Sequence, residues 1–199
     1  MASILIQFAH PALQKSRVNS ALLEAASGLD KVTVCDLYEL YPNFLIDVEL
    51  EQAKLSSHDI IIFQCPMYWY SVPALVKEWF ELVLERGFAY GEGAHLLTGK
   101  KVMLAASFGG MEADYLGDPP NVIPLDQLIS PIRQTMQFCK FNWLPPFVTF
   151  DADRADASRM TSLDAVYRYI LVGLRDNAFG MDALNPLVPI NHQLTLQVN

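Results

Sequence analysis

Asp59-Ile60-Ile61-Ile62-Phe63-Gln64-Cys65-Pro66-Met67-Tyr68-Trp69-Tyr70-Ser71-Val72-Pro73 is the stretch that decides the fold. After Asp59 the run is apolar at every position through Phe63, the pattern of a strand buried on both faces of a parallel sheet. An amphipathic helix is predicted immediately afterwards, over residues 74–86. It carries Leu75, Val76, Trp79, Phe80, Leu82 and Val83 on one side and Glu78, Glu81 and Glu85 on the other. Three large aromatics therefore lie on a connection at the carboxyl end of a strand, where open α/β sheets bind ligands. Pro66 and Pro73 stiffen that connection by fixing φ and restricting the residue before each. Such a loop suits a flat, conjugated ligand.

Working outward, strands are predicted at 3–8, 31–35, 59–63, 101–107 and 146–150. Helical spacing joins Val18, Leu22, Ala25, Ala26 and Leu29, with Ser16 at its start and Gly28 and Asp30 at its end. Residues 36–44 read as a Tyr-rich loop and 47–55 as a short acidic helix. Gly87 reads as the C′ residue of the 74–86 helix, and 111–121 as a long loop. Apolar residues repeat helically from Leu125 to Cys139, where Pro131 either kinks the helix or sits at N1 behind a Ser130 cap. Leu163, Val166, Tyr167, Ile170, Leu171 and Leu174 form a further stripe. Five strand–helix alternations imply βαβ units, right-handed crossovers and a parallel sheet covered on both faces. One domain over 1–178 is expected, followed at 179–199 by an extended arm lying over a neighbouring surface, or a mobile one.

Composition narrows the function. The chain of 199 residues is 52% hydrophobic and 18% charged, a globular balance. A net charge of −8 lacks the basic face that nucleic acid or an anionic membrane surface requires. No stretch is long and apolar enough for membrane insertion, and no signal peptide is visible. Cys35, Cys65 and Cys139 are widely spaced, which fits neither a disulfide framework nor zinc and suits a reducing cytoplasm. His10, His58, His95 and His192 are isolated, so no metal site is expected. Glu49 and Glu51 read as a solvated face, and Asp151-Ala152-Asp153 as a loop and cap.

Three segments at strand ends carry candidate chemistry. In His10-Pro11-Ala12-Leu13-Gln14-Lys15-Ser16-Arg17-Val18-Asn19 the chain enters a helix, whose first amides and Ser16 hydroxyl can hold an anion, with His10 and Arg17 adding charge or hydrogen bonds. Alone, the segment is also a plain serine-capped helix start. In Pro66-Met67-Tyr68-Trp69-Tyr70 the aromatics are consecutive, so at least one faces outward, although Trp69 or Tyr70 could instead pack on the following helix. In Ser107-Phe108-Gly109-Gly110 the glycines permit close approach of a ring edge, or simply a turn with positive φ. No Gly-x-Gly-x-x-Gly, Walker A or Gly-x-Ser-x-Gly motif occurs.

These residues, with Phe8 to Pro11, Asp36-Leu37-Tyr38, Tyr41-Pro42, Gly87-Phe88-Ala89-Tyr90-Gly91, Leu97 to Lys100 and Asn142-Trp143-Leu144-Pro145-Pro146, cover residues 3 to about 175 in order. Together they resemble the flavodoxin-like NAD(P)H:quinone oxidoreductase family. Within it they resemble most the ancillary flavoproteins of glutathione-regulated potassium-efflux systems.

The resemblance implies a five-stranded parallel sheet in the order 2-1-3-4-5, with a flavin across the strands' carboxyl ends. It assigns His10, Ser16, Arg17, Val18 and Asn19 to the flavin phosphate. Pro66, Met67, Tyr68, Trp69 and Tyr70 flank the ring, and Ser107, Phe108, Gly109 and Gly110 meet its pyrimidine edge. FMN is favoured over FAD because the chain lacks the large C-terminal cap of the animal enzymes. Two electrons would pass as hydride from NAD(P)H through the flavin to a quinone, by ping-pong kinetics. Gly109 and Gly110 would offer backbone donors to the developing charge. Tyr115 stands at the spacing of a tyrosine thought to assist proton balance in the animal enzymes, and is equally readable as a surface tyrosine. Asn121 stands where their histidine would be, and a neutral amide does not relay protons as imidazole does. A homodimer is implied, with a cytoplasmic location peripheral to the inner membrane through a potassium-efflux antiporter. The alternative reading is a regulatory flavoprotein subunit that activates such an antiporter without needing turnover. An electron-transfer flavodoxin is a blander third option, but the strand-to-helix segment here is not the glycine-rich hydroxyl loop of that class.

Overall fold

A computed structural model describes residues 1–117, 120 and 122–194. Six strands form one sheet: β1 (Ile4–Phe8), β2 (Val32–Asp36), β3 (Ile60–Pro66), β4 (Lys101–Ser107), β5 (Asn142–Trp143) and β6 (Phe147–Thr149). All pairings are parallel and the order is β2-β1-β3-β4-β5, with β6 also on β4. The expected order 2-1-3-4-5 holds, and the fifth position is split between two short strands. Asn142 and Trp143 pair with Lys101 and Val102, whereas Phe147 to Thr149 pair with Ala105 to Ser107. Three residues lie between Trp143 and Phe147, against two between Val102 and Ala105, so one extra residue bulges out. Pro145 and Pro146 lie in that gap, and prolines donate no ladder hydrogen bond.

Helices cover both faces. On one face lie α1 (Arg17–Ala26) and the long α8 (Ala157–Arg175), packed on Ile4, Ile6, Phe8, Ile60, Ile62 and Met103. On the other, α2 (Leu37–Leu40), α3 (Val48–Ser57), α4 (Ala74–Val83), α6 (Leu125–Leu128) and α7 (Ser130–Phe138) cover Leu5, Ile61, Phe63, Leu104 and Val148. A short α5 (Glu112–Leu116) follows β4, and α9 (Ile190–Gln193) closes the described chain.

Local chemistry accounts for several departures from the sequence reading. The Tyr-rich loop contains α2 because the Asp36 carboxylate accepts from the Tyr38 and Glu39 amides. The 111–121 loop contains α5, and Asp118, Pro119 and Asn121 lie outside the described residues. The 125–139 repeat is two helices, with Pro131 in the first turn of the second; Ser130 does not cap it, since its hydroxyl donates to the Gln127 carbonyl at 2.7 Å. The α4 helix stops at Val83 with Leu84 as its C-cap, and Gly87 sits beyond in a turn at φ +92°.

Two corrections are larger. Glu51 is not solvated. It is fully buried and accepts from Gln7 Nε2 (2.5 Å), Lys54 Nζ (2.6 Å), Tyr41 Oη (2.7 Å) and Trp79 Nε1 (3.0 Å). One carboxylate thus ties α3 to β1, α4 and the segment after α2, and four donors are what make a buried charge tolerable. The arm expected at 179–199 is folded through 194. Ile190 and Leu194 are buried, and the Asn191 side chain brackets Val148, accepting its N–H at 3.0 Å and donating to its carbonyl at 2.9 Å. That side chain takes the place of a neighbouring strand at the sheet edge. Residues 195–199 of the arm lie outside the described residues.

Candidate functional site at the carboxyl edge of the sheet

The three strand-end segments meet at one cavity of about 730 Å³. From the β1 end, a 3-10 turn (Leu13–Lys15) leads to Ser16, the N-cap of α1. The Ser16 hydroxyl accepts from the Asn19 amide (3.2 Å) and from Asn19 Nδ2 (3.0 Å). Asn19 Nδ2 also donates to Ser107 Oγ at 2.9 Å, binding the β1 and β4 ends of the cavity together. Asn19 Oδ1 is buried without a described partner. Lys15 and Arg17 line the same end, so a helix N-terminus and two cations converge on one spot, a strong setting for an anion.

Of the two expectations for His10, charge or hydrogen bonds, its surroundings leave the second. Its Nδ1 accepts from the Ala12 amide (3.1 Å), and its Nε2 lies 3.3 Å from the Tyr68 hydroxyl. Burial holds its pKa below the usual imidazole value. The ring is therefore neutral near pH 7, with the Nε2 proton directed at Tyr68, because a proton on Nδ1 would displace the Ala12 amide.

After β3, Tyr68 and Ser71 exchange both backbone hydrogen bonds (2.9 and 3.1 Å) around Trp69 at φ +51° and Tyr70 at φ +64°. Two successive positive φ values belong to the hairpin turn that Asn-Gly normally fills. Neither aromatic turns inward: Trp69 is 93% exposed, Tyr70 54% and Tyr68 44%, while Met67 beneath them is buried. Bulky residues at positive φ cost about 1–3 kcal/mol each, and this pair stands at the mouth of the cavity.

After β4, Gly109 and Gly110 do not adopt positive φ. Their smallness answers to neighbours instead. A Cβ on Gly110 would lie 2.9 Å from the Tyr115 ring and hydroxyl, and one on Gly109 would lie 3.2 Å from Asp153 Oδ2. Neither amide has an acceptor among the described residues. Tyr115, on α5, packs over Gly110 and stacks on Phe150 at 5.6 Å and 21°, beside Phe108 at 4.9 Å. Burial raises its hydroxyl pKa, so it stays protonated at neutral pH.

The cavity lining takes in the predicted residues except two. The Val18 side chain is in the core, so it can act only through its backbone. Gly110 lies beneath Tyr115 rather than on the wall. Lys15, Leu128, Ala152 and Asp153 are additions that sequence reasoning missed. Lys15 was legible as a cation one residue before the cap; the other three come from distant segments and gave no local signal.

A twisted parallel sheet of this order, with its cavity at the switch between β1 and β3, defines a flavodoxin-like protein. Residues 2–170 match the family model described as flavodoxin-like fold, and the chain belongs to that family. The glutathione-regulated potassium-efflux system ancillary protein KefG of Cronobacter sakazakii is 42% identical over 166 residues, 83% of this chain and 90% of that protein. The general stress protein 14 of Treponema denticola, solved in complex with FMN, superposes with a TM-score of 0.79 at 30% identity, covering 89% of this chain and 99% of that one. An NADPH-quinone reductase from P. pentosaceus superposes with a TM-score of 0.75 at 27% identity, covering 84% and 96%. Among the described residues, no helix is long and apolar enough to cross a membrane.

Proposed function

We propose that this protein is an FMN-dependent oxidoreductase that carries two electrons from NAD(P)H to a quinone, donor and acceptor using the site in turn. The observation that carries the reading is one cavity shared by the N-terminus of α1 at one side and an exposed aromatic turn at the other. Its residues fit the cofactor. Ser16, Lys15, Arg17 and the first amides of α1 would hold the phosphate. Tyr68, Trp69 and Tyr70 would flank the ring. The free amides of Gly109 and Gly110 would offer donors to its carbonyl edge. FMN, when bound, supplies the hydride chemistry. Around it the protein supplies positioning: His10 orients Tyr68, Asn19 fixes Ser16 against Ser107, and Tyr115 presents a protonated hydroxyl over Gly110. FMN is favoured over FAD.

A second reading rests on the KefG relatives: an ancillary flavoprotein that docks on a potassium-efflux antiporter from the cytoplasm. The two can coexist in one molecule. A homodimer with a C₂ interface near the exposed aromatics completes the proposal.

The test begins with the absorption spectrum of the purified protein, where flavin maxima are expected. Steady NAD(P)H oxidation with a benzoquinone, lost on removing flavin, supports the reductase. Bound flavin with background oxidation favours the ancillary role alone, and a protein that neither carries nor takes up flavin overturns both.

A further inference from the structure

We propose that Asp153 is a cofactor-positioning residue whose carboxylate accepts hydrogen bonds from the polyol chain joining phosphate to ring. The inference rests on the flavin reading above and extends it to a residue outside the three strand-end segments. Asp153 belongs to a 3-10 turn (Ala152–Arg154) after β6, and that turn packs against α1. The Ala152 amide donates to the Phe108 carbonyl at 2.9 Å, and the Asp151 amide to the Gly110 carbonyl at 2.8 Å. Two backbone hydrogen bonds therefore pin the turn to the end of β4, and Asp153 is held beside the cavity by main chain.

Its carboxylate looks onto the open face of Gly109, with Oδ2 3.2 Å from where a Cβ would stand. Its charge also reaches the Tyr68 hydroxyl, adding to the rise in that group's pKa that burial begins. The two arginines nearest in the chain face Asp151 instead, Arg154 at 3.6 Å and Arg159 at 4.0 Å. No described group donates to the Asp153 carboxylate.

The α1 end offers donors and cations, which suit a phosphate. Two acceptors of the cavity residues have no described donor, namely Asn19 Oδ1, which is buried, and the Asp153 carboxylate, which is exposed at the cavity's edge. A carboxylate there repels anions and favours neutral hydroxyl donors. The ribityl chain is the donor-rich part of a flavin nucleotide, and it runs from the anion end to the ring.

Fluorescence titration of the flavin-free protein with FMN, riboflavin and lumiflavin, which lacks the polyol, tests the assignment. Asp153→Ala should weaken FMN and riboflavin by about tenfold and leave lumiflavin unchanged. Asp153→Asn, which keeps a neutral acceptor, should fall between wild type and Asp153→Ala. Unchanged affinities in both variants overturn the proposal. So does an equal loss for lumiflavin, which would mark general damage to the cavity mouth. So does tighter binding of FMN alone, which would mark simple repulsion of the phosphate. Wild-type protein that binds no FMN overturns the flavin reading itself, a result distinct from these three.

Discussion

The two turns at the cavity mouth invert the usual backbone logic. Trp69 and Tyr70 occupy positive φ, where glycine or asparagine is at ease. Gly109 and Gly110 occupy ordinary φ, where any residue's backbone would fit. The first turn tolerates strain to hold aromatic rings in solvent at the mouth. The second gives up side chains so that Tyr115 and Asp153 can come close. Both choices sacrifice folding preference at the same place, which is the pattern of a site shaped by its ligand rather than by the fold.

The comparison can be broken most directly at the glycine turn. Gly109→Val should weaken FMN by roughly tenfold to a hundredfold, because the branched side chain meets Asp153 and obstructs the ring edge. Flavin fluorescence titration reads this, and unchanged occupancy would remove the segment from the site. The aromatic turn separates stability from binding. Trp69→Asn combined with Tyr70→Gly should raise unfolding stability by about 2 kcal/mol while lowering flavin affinity. Urea denaturation beside a binding titration measures both, and a variant less stable than wild type would refute the strain argument.

Tyr115→Phe sharpens the comparison by keeping the ring over Gly110 and removing only the hydroxyl. Turnover with a benzoquinone should fall roughly fivefold at unchanged flavin affinity. Equal turnover would return Tyr115 to a packing role. The smallest effect is expected at His10. Burial lowers its folded pKa below the unfolded value near 6.5, so the unfolded chain binds more protons below that pH. The stability associated with neutral His10 is present above about pH 6.5 and is lost as pH falls toward its folded value. Denaturation midpoints between pH 5 and 7.5 should therefore slope less in His10→Gln than in wild type.

Much of this architecture was legible in the chain. The continuous apolar runs at Ile60 to Phe63 and Val102 to Ala106, each followed by turn residues, announce parallel strands with ligand-facing ends. Ser16 announces its cap, and the three consecutive aromatics announce an outward-facing loop. The sheet order and the flavin came through resemblance rather than periodicity. Glu51 shows the limit. Its spacing is that of an exposed helix face, and only Gln7, Tyr41 and Trp79, brought from three other segments, make it a buried hub.

What the sequence determined by itself is therefore what depends on near neighbours: strand and helix periods, caps, and the presence of prolines and glycines at strand ends. The tertiary structure alone decided which distant groups share a space. It set Asp153 beside Gly109, Tyr115 over Gly110 and Asn191 along Val148. The physical reason is that backbone preferences act over a few residues, whereas hydrogen-bond satisfaction and steric fit are settled between surfaces that meet only when the sheet closes.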